Sequence, residues 1–283
     1  MIHVKDLEYA YPKASDNTIR KINFDIEKGE IFGFLGPSGA GKSTTQKILT
    51  KLLRSYKGDV KLAGKDLNSW NAEFYNHIGV GFELPNHYSK LTAIENLDFF
   101  STFYDKKVIP PMELLKMVGL EEDAKKKTGD YSKGMKMRLN FVRALMHDPE
   151  ILFLDEPTTG LDPANARKIK DIILDQKSKG KTVFLTTHNM HDAEELCDRV
   201  SFITEGVLNL TDSPRNLKLL NGKRIVKVEF GKDKISSQEF SLDGLGSNKE
   251  FMDLIQKENI IAMHSEEAGL DDIFIKVTGK KLN

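Results

Sequence analysis

A short glycine-rich segment near residue 40 constrains the fold of this chain more than any other feature of its sequence. It fits the pattern G-x-x-x-x-G-K-[ST] and consists of Gly36, Pro37, Ser38, Gly39, Ala40, Gly41, Lys42 and Ser43. A buried strand is predicted before it, at residues 31–35, and a helix after it, at residues 44–54. In this setting the loop N–H groups and the helix N-terminus surround phosphate oxygens. The segment therefore predicts a nucleotide phosphate site, with Lys42 at the β- and γ-phosphates, Ser43 on Mg²⁺ and Thr44 beside them.

A second apolar run, at residues 151–154, leads directly into Asp155 and Glu156. A buried strand that ends in acidic residues puts their carboxylates at the crevice where open α/β sheets bind ligands. Asp155 suits the Mg²⁺ shell, and Glu156 suits a base that orients or deprotonates an attacking water. Combined with Lys42, the pair predicts hydrolysis of a nucleoside triphosphate.

The order of the apolar patterns predicts an α/β fold with a mostly parallel sheet, because short apolar runs alternate with helix-period segments. Further strands are predicted at residues 78–82 and 182–185, and helical patterns dominate an insertion at residues 85–147. A helix at residues 163–179 connects the last two strands. Residues 1–215 are predicted as the nucleotide-binding domain and residues 216–283 as a small α+β accessory domain.

A third motif, YSKGMKMR at residues 131–138, lies between these elements. Ser132 precedes Asp155 by 23 positions, and Gly160-Leu161-Asp162-Pro163 and Thr186-Thr187-His188 follow in order. With the phosphate loop and Asp155-Glu156-Pro157, these motifs resemble the ATP-binding subunits of ABC transporters over residues 2–215. The resemblance implies a P-loop ATPase fold with an N-terminal antiparallel β part, an inserted helical subdomain, and ATP and Mg²⁺ as ligands.

The family also implies roles for residues outside the phosphate loop. Two such domains pair head to tail, so that Ser132, Lys133 and Gly134 of one copy meet the ATP held by the other. Asp162 is expected to couple the two sites, and His188 to contact the γ-phosphate. Tyr11 matches the aromatic residue that stacks on adenine and is preferred to Tyr9, since the family's residue sits beside the turn.

Some positions depart from the family pattern. Glu83 stands where a glutamine is usual; its carboxylate is expected to ligate Mg²⁺ and adds negative charge beside Asp155 and Glu156. Lys133 replaces a glycine and either adds positive charge near the partner's phosphates or stays solvated. Met135 replaces a glutamine, and its helical spacing with Leu139, Val142 and Met146 favours a core-facing position.

The composition limits which partners and which cellular location are expected for the protein. Lys and Arg total 42, as do Asp and Glu, so the net charge is zero and nucleic acid is not an expected partner. No apolar run is long enough to span a bilayer, the N-terminus lacks a signal-peptide pattern, and the single Cys197 excludes an internal disulfide. A cytoplasmic location, peripheral on the cytoplasmic face of the membrane, is expected.

The predicted partners are a separate integral membrane permease and a second, identical ATP-binding subunit. In the family, residues 91–97 and the loop around Glu83 receive the coupling helix of the permease. The YSKGM signature and residues 270–279 resemble bacterial antibiotic-export subunits of the bacitracin and daunorubicin type. The alternative is a soluble ABC ATPase acting on ribosomes or chromosomes. A GTPase is disfavoured because no N-K-x-D motif is present.

Overall fold

The strands that carry the acidic and phosphate-loop motifs lie on either side of one shared neighbour in the central, mostly parallel sheet. A computed structural model of the protein describes residues 1–221, 224–232 and 235–280. Within them the chain divides into one unit at Met1–Ser213 and a second that begins at Pro214. The central sheet has the order β10-β9-β3-β8-β7-β6. Its strands are β3 (Ile31–Leu35), β6 (Ile78–Gly81), β7 (Ile151–Asp155), β8 (Thr182–Thr187), β9 (Arg199–Thr204) and β10 (Val207–Asp212).

All neighbouring pairs in this sheet are parallel except β9 and β10. Every residue of β3, β7 and β8 is buried, as expected for parallel strands covered on both faces. The carboxyl ends of these adjacent strands meet at one edge. That edge receives the phosphate loop from β3, the Asp155–Glu156 pair from β7 and His188 from β8.

Helices flank the sheet: α1 (Lys42–Leu49), α2 (Phe74–His77), α6 (Pro163–Ser178) and α7 (Met190–Leu196). The expected helix at residues 44–54 ends earlier, at Leu49. The Thr50 hydroxyl donates to the carbonyl of Gln46, and Lys51 adopts a left-handed φ of 61°. A residue in the left-handed conformation cannot continue a right-handed helix, so the helix ends here. The prediction extended the helix too far because residues 52 and 53 are apolar at helical spacing.

An antiparallel sheet with the order β2-β1-β4-β5 forms the N-terminal part of the first unit. Its strands are β1 (Ile2–Tyr9), β2 (Ile19–Ile26), β4 (Lys57–Leu62) and β5 (Lys65–Asp66). Alternating residues of β1 and β2 are buried. Phe24 of β2 packs on Phe32 and Phe34 of β3, which joins this sheet to the parallel one. The turn after β1 thereby holds Tyr11 near the phosphate loop.

The helical insertion between β6 and β7 contains α3 (Ala93–Ser101), α4 (Pro111–Met117) and α5 (Lys133–Leu145). A capping box between Thr92 and Glu95 starts α3. Ser132 caps α5 by accepting a hydrogen bond from the Met135 N–H. Met135 was expected to face the core, but it is only half-buried in the first turn of α5. Met137, two residues later, is the buried methionine of this turn.

The second unit has its own sheet, with the order β12-β11-β13 and all pairs antiparallel. Its elements are α8 (Pro214–Asn221), β11 (Arg224–Phe230), β12 (Ser236–Ser241), α9 (Lys249–Lys257), β13 (Ile260–Glu267) and α10 (Leu270–Thr278). Val226, Val228, Phe240 and Phe251 form a small buried core of this unit. The unit starts two residues before the boundary expected from the sequence.

Candidate nucleotide site

The loop between β3 and α1 is shaped by glycines at points of close approach. A β-carbon at Gly36 would lie 2.1 Å from the carbonyl oxygen of Ile203, so no other residue fits there without displacing β9. Gly41 has a φ of 112°, which residues with a side chain rarely adopt. These glycines let the backbone turn tightly enough for its N–H groups to face one point.

Lys42 lies at the centre of this loop and is buried. Its ammonium donates to the carbonyl oxygens of Gly36 at 2.6 Å and Pro37 at 3.0 Å. Burial lowers the pKa of Lys42, and the charges of Glu156, Asp155 and Glu83 partly oppose this effect. The local negative charge therefore favours the protonated form, which is the form that binds phosphate.

A cavity of about 420 Å³ opens above the loop and collects most of the residues that the sequence motifs single out. It is lined by Tyr11, Thr18, Ser38, Gly39, Gly41, Lys42, Ser43, Thr44, Glu83, Asp155, Glu156 and His188. Gly36, Pro37 and Ala40 shape the loop without lining the cavity. Thr18 is the lining residue that sequence reasoning missed, since it stands in no motif.

Tyr11 lies at the mouth of this cavity and is 38% exposed, whereas Tyr9 is buried. The Tyr11 hydroxyl is 3.2 Å from Oγ1 of Thr44, and its ring meets that of Tyr9 edge to face. Of the two tyrosines, Tyr11 therefore has a ring face accessible to a planar base.

Asp155 is held in place by a buried network beneath the loop. The Thr186 hydroxyl donates to Oδ1 of Asp155, and it lies 3.4 Å from Oε1 of Gln46. Ser43, Glu83 and Asp155 provide hydroxyl and carboxylate oxygens to the same cavity, which is the ligand type that Mg²⁺ prefers. Because Mg²⁺ binds through one or two carboxylates plus substrate phosphates, this donor set fits the ion.

Glu156 has the most constrained position in the site. It is buried and adopts a left-handed φ of 50°. Its Oε2 accepts from the hydroxyls of Thr159 and Thr187, each at 3.0 Å. Its Oε1 accepts from the backbone N–H of His188 at 3.0 Å and from the ring N–H at Nδ1 at 2.6 Å. Strained backbone held by this many contacts is typical of functional sites.

The remaining motif residues lie outside the cavity. Ser132, Lys133 and Asp162 are exposed, and Gly134 is half-buried. A β-carbon at Gly160 would lie 3.5 Å from Nζ of Lys133, so the Lys133 side chain runs along the loop that precedes α6. Asp162 caps α6, and its hydrogen bonds with Asn165 lower its pKa.

The loop that carries Glu83 is attached to α5 by contacts that the sequence motifs did not reveal. Asn140 Nδ2 donates to the carbonyl of Phe82 at 2.8 Å, and Arg143 donates to the carbonyl of Asn86 at 2.7 Å. The ring N–H at Nε2 of His87 donates to the carbonyl of Lys136 at 3.0 Å. These hydrogen bonds connect the loop that carries Glu83 to α5.

Among residues 1–221, 224–232 and 235–280, no helix is long and apolar enough to cross a membrane. Cys197, the cysteine of the sequence, is buried, and burial raises the pKa of its thiol.

Comparison with known proteins finds family profiles that match two separate segments of the chain. A family profile described as "ABC transporter" matches residues 19–159, and one described as "Fluoroquinolone efflux ABC transporter C-terminal domain" matches residues 224–267. A fluoroquinolones export ATP-binding protein of Mycobacterium tuberculosis is 51% identical over all of this chain and 94% of its own length. The bacitracin transport ATP-binding protein BcrA of Bacillus licheniformis is 34% identical, over 99% of this chain and 97% of its own.

Solved structures agree with these matches. An ATP-binding cassette determined as a dimer in a post-hydrolysis state with ADP and Pi is 27% identical and has a TM-score of 0.69. The match covers 75% of this chain and 98% of that one. The ABC-type ATPase fold predicted from the motifs is thus confirmed, as are ATP and Mg²⁺ as ligands and ATP hydrolysis as the activity. The chain belongs to the ATP-binding subunits of ABC transporters, in the branch that contains antibiotic exporters.

Proposed function

We propose that this ATPase subunit powers a separate membrane permease that exports amphipathic antibiotics of the fluoroquinolone class. The observation that carries the proposal is the end-to-end similarity to a fluoroquinolones export subunit, at 51% identity and including the C-terminal segment. The ATPase motifs are shared by many transporters, whereas the profile that matches residues 224–267 is described for fluoroquinolone efflux. In this proposal residues 1–215 hydrolyse ATP and residues 216–283 are an accessory domain.

The proposed roles in hydrolysis follow from the cavity. Lys42 and the loop N–H groups bind the β- and γ-phosphates, and Tyr11 stacks on adenine. Ser43, Asp155 and Glu83 hold Mg²⁺, which neutralises phosphate charge. Bound ATP then competes with Glu156 for the exposed His188 ring, because both offer it an acceptor oxygen. Once released from His188, Glu156 is free to accept a hydrogen bond from the attacking water.

The complete site is proposed to need a second copy of the chain. Ser132, Lys133 and Gly134 lie at the exposed N-terminus of α5, outside their own cavity, and a helix N-terminus favours anions. In a head-to-tail dimer they face the γ-phosphate bound by the partner. Asp162 lies in the segment that packs against the same helix start. The solved relative that is dimeric with ADP and Pi supports this arrangement.

The permease is proposed to dock on the first unit at the loop that carries Glu83 and at the start of α3. This surface carries exposed aromatic side chains, which mark interaction sites. Docking there would place the subunit on the cytoplasmic face of the membrane. The alternative of a soluble ATPase on ribosomes or chromosomes finds no support in these two relatives, which are named as ATP-binding proteins of fluoroquinolone export and of bacitracin transport.

Copurification tests the proposal. The tagged chain is expressed in its source cell, membranes are solubilised in mild detergent, and copurifying proteins are identified. The proposal predicts a stoichiometric multi-span protein, and cells that express both chains should accumulate less of a fluoroquinolone than cells that carry Glu156→Gln. Ribosomal or chromosomal proteins in place of a permease would contradict it.

A further inference from the structure

Asp192 is a buried acidic residue in the first turn of α7 that the proposed hydrolysis mechanism does not use. Its two carboxylate oxygens contact two other parts of the chain. Oδ2 accepts a hydrogen bond from the Thr158 hydroxyl at 2.6 Å, and Oδ1 lies 3.3 Å from the ammonium of Lys170 on α6. A buried charge needs such partners, and the loss of one of them is costly. Asp192 therefore joins α7 both to α6 and to the segment that follows Glu156.

Thr158 is buried in the turn that connects Glu156 to Asp162. Its carbonyl accepts a hydrogen bond from the N–H of Leu161 at 3.2 Å, directly before Asp162. A hydroxyl that donates to a carboxylate forms a charge-assisted hydrogen bond, which is stronger than a bond between neutral groups. Asp192 thus fixes the turn between the proposed base and the residue that is expected to couple the two ATP sites.

Lys170 connects Asp192 to the helix that begins at Asp162. Asp162 is the N-cap of α6, and Lys170 lies about two turns further along the same helix. Lys170 also donates to the carboxylate of Glu195 on α7, and this hydrogen bond is the largest cause of its raised pKa. Asp192 and Glu195 together hold α6 against α7.

The start of α7 is in turn connected to the site of hydrolysis. Asn189, directly after His188, caps α7 because its Oδ1 accepts from the N–H of Asp192 at 3.2 Å. The N–H of Asn189 donates to Oγ1 of Thr187 at 3.0 Å, and the hydroxyl of Thr187 donates to Oε2 of Glu156. A continuous set of hydrogen bonds therefore runs from Glu156 through the first turn of α7 to Asp192.

We propose that Asp192 is a positioning residue that transmits the position of His188 to Asp162, and that it thereby couples one ATP site to the other site of the dimer. In this proposal ATP draws the His188 ring away from Glu156, and the first turn of α7 follows the ring. Asp192 then moves the Thr158 turn and α6, which changes the position of Asp162 at the partner's site. The proposal rests on the proposed function, because it needs the proposed dimer and the proposed role of His188.

The same contacts also stabilise the packing of α6 on α7, and the two roles need different contacts. Packing of the helices uses both carboxylates of α7, Asp192 and Glu195. Transmission to Asp162 needs the hydrogen bond between Thr158 and Asp192 as well as the ion pair with Lys170. Removing each group separately therefore distinguishes transmission from packing.

The test uses the purified full-length chain. Asp192→Ala removes both contacts of the carboxylate, and Thr158→Val removes the hydroxyl while nearly keeping the shape of the side chain. Glu195→Gln is the matched control, because it weakens the other ion pairs between α6 and α7 and leaves Thr158 and Asp192 in place. Thermal unfolding reports the stability of each variant.

Coupling is measured in mixed dimers. Each protein is mixed in varying proportion with the same chain carrying Glu156→Gln, whose site keeps ATP without hydrolysing it. The hydrolysis rate of each mixture is divided by the rate of the same protein without Glu156→Gln, so that a lower basal rate does not affect the comparison. The result shows whether an intact site depends on the state of its neighbour.

For the parent, an equal mixture should retain about a quarter of the activity, because with coupled sites only dimers of two intact chains turn over. Asp192→Ala and Thr158→Val should retain about half, as independent sites do. Glu195→Gln should follow the parent even where it lowers the unfolding temperature. If Asp192→Ala fails to fold, Thr158→Val decides.

A mixing curve of the folded Asp192→Ala or Thr158→Val protein that matches the parent would overturn the proposal. A parent curve that falls in direct proportion to the intact fraction would also overturn it, as would a Glu195→Gln curve that resembles that of Asp192→Ala. No permease takes part, so failure to find one would contradict the proposed function and leave this proposal standing. Hydrolysis by His188→Ala at the parent rate would contradict the proposed role of His188 and this proposal together.

Discussion

Oε1 of Glu156 lies 2.6 Å from Nδ1 of His188, and the same oxygen accepts the backbone N–H of His188. The proposed base is therefore hydrogen-bonded to the residue proposed to contact the γ-phosphate. In the proposed mechanism, the binding of ATP and the release of Glu156 are linked through the side chain of His188.

Glu156→Gln removes the proposed base while keeping the size of the side chain. We expect the hydrolysis rate to fall by about 10²-fold or more, since a general base typically contributes this much. ATP binding should persist and a dimer should accumulate, as measured by single-turnover hydrolysis and size-exclusion chromatography with ATP. Lys42→Ala is the contrasting variant and should weaken nucleotide binding itself. Rapid turnover by Glu156→Gln would contradict the assignment of the base.

Glu83→Gln tests whether the carboxylate at this position ligates Mg²⁺. Removing one negative charge from the cavity should raise the Mg²⁺ concentration needed for half-maximal hydrolysis several-fold, because charge attracts the divalent ion. The rate at saturating Mg²⁺ should change less. Magnesium titrations of both proteins measure this, and superimposable titration curves would show that the negative charge of Glu83 does not strengthen Mg²⁺ binding.

Lys133→Gln tests whether the unusual cation of the signature assists the partner's phosphates. Its loss should weaken ATP-driven dimerisation several-fold at low salt and less at high salt, because salt screens exposed charges. Lys116→Gln, a charge change at an exposed lysine of α4, is the matched control. Sedimentation with ATP in the Glu156→Gln background measures the dimer, and equal pairing of both variants would mean that Lys133 is simply solvated.

His87 and His147 each have a pKa lowered to about 4, in both cases mainly by burial. Each histidine is therefore neutral in the folded protein while the unfolded chain takes up a proton below pH 6.5. Their contribution to stability is fully present above pH 6.5 and is lost as the pH falls towards 4. For the fully buried His147, the shift corresponds to about 3 kcal/mol of unfolding free energy.

Urea unfolding between pH 7 and pH 4 measures this loss. His147→Gln, whose amide can still donate to the carbonyl of Ile78, should show a shallower fall in unfolding free energy with pH. An unchanged slope in that variant would show that His147 does not titrate in this window.

The sequence was most informative where chemistry demands particular residues at fixed spacing. The phosphate loop and the acidic strand end could be assigned from the residues themselves, and the family resemblance added His188; parallel strands carry all three to one edge of the sheet. The end of α1 could not be predicted. A glycine after a helix indicates that the helix stops, whereas the lysine that adopts the left-handed conformation here, Lys51, gives no such indication. The attachment of the Glu83 loop to Asn140 and Arg143 also escaped prediction, because hydrogen bonds from side chains to distant carbonyls depend on tertiary packing.

The most direct test of the proposed function is ATP-dependent uptake of a fluoroquinolone into inverted membrane vesicles that contain this chain and its permease. Uptake is expected with the parent protein and ATP, and none with Glu156→Gln or when a non-hydrolysable ATP analogue replaces ATP. Uptake by the parent that is unaffected by Glu156→Gln, or ATP hydrolysis by a permease-bound subunit that moves no fluoroquinolone, would contradict it.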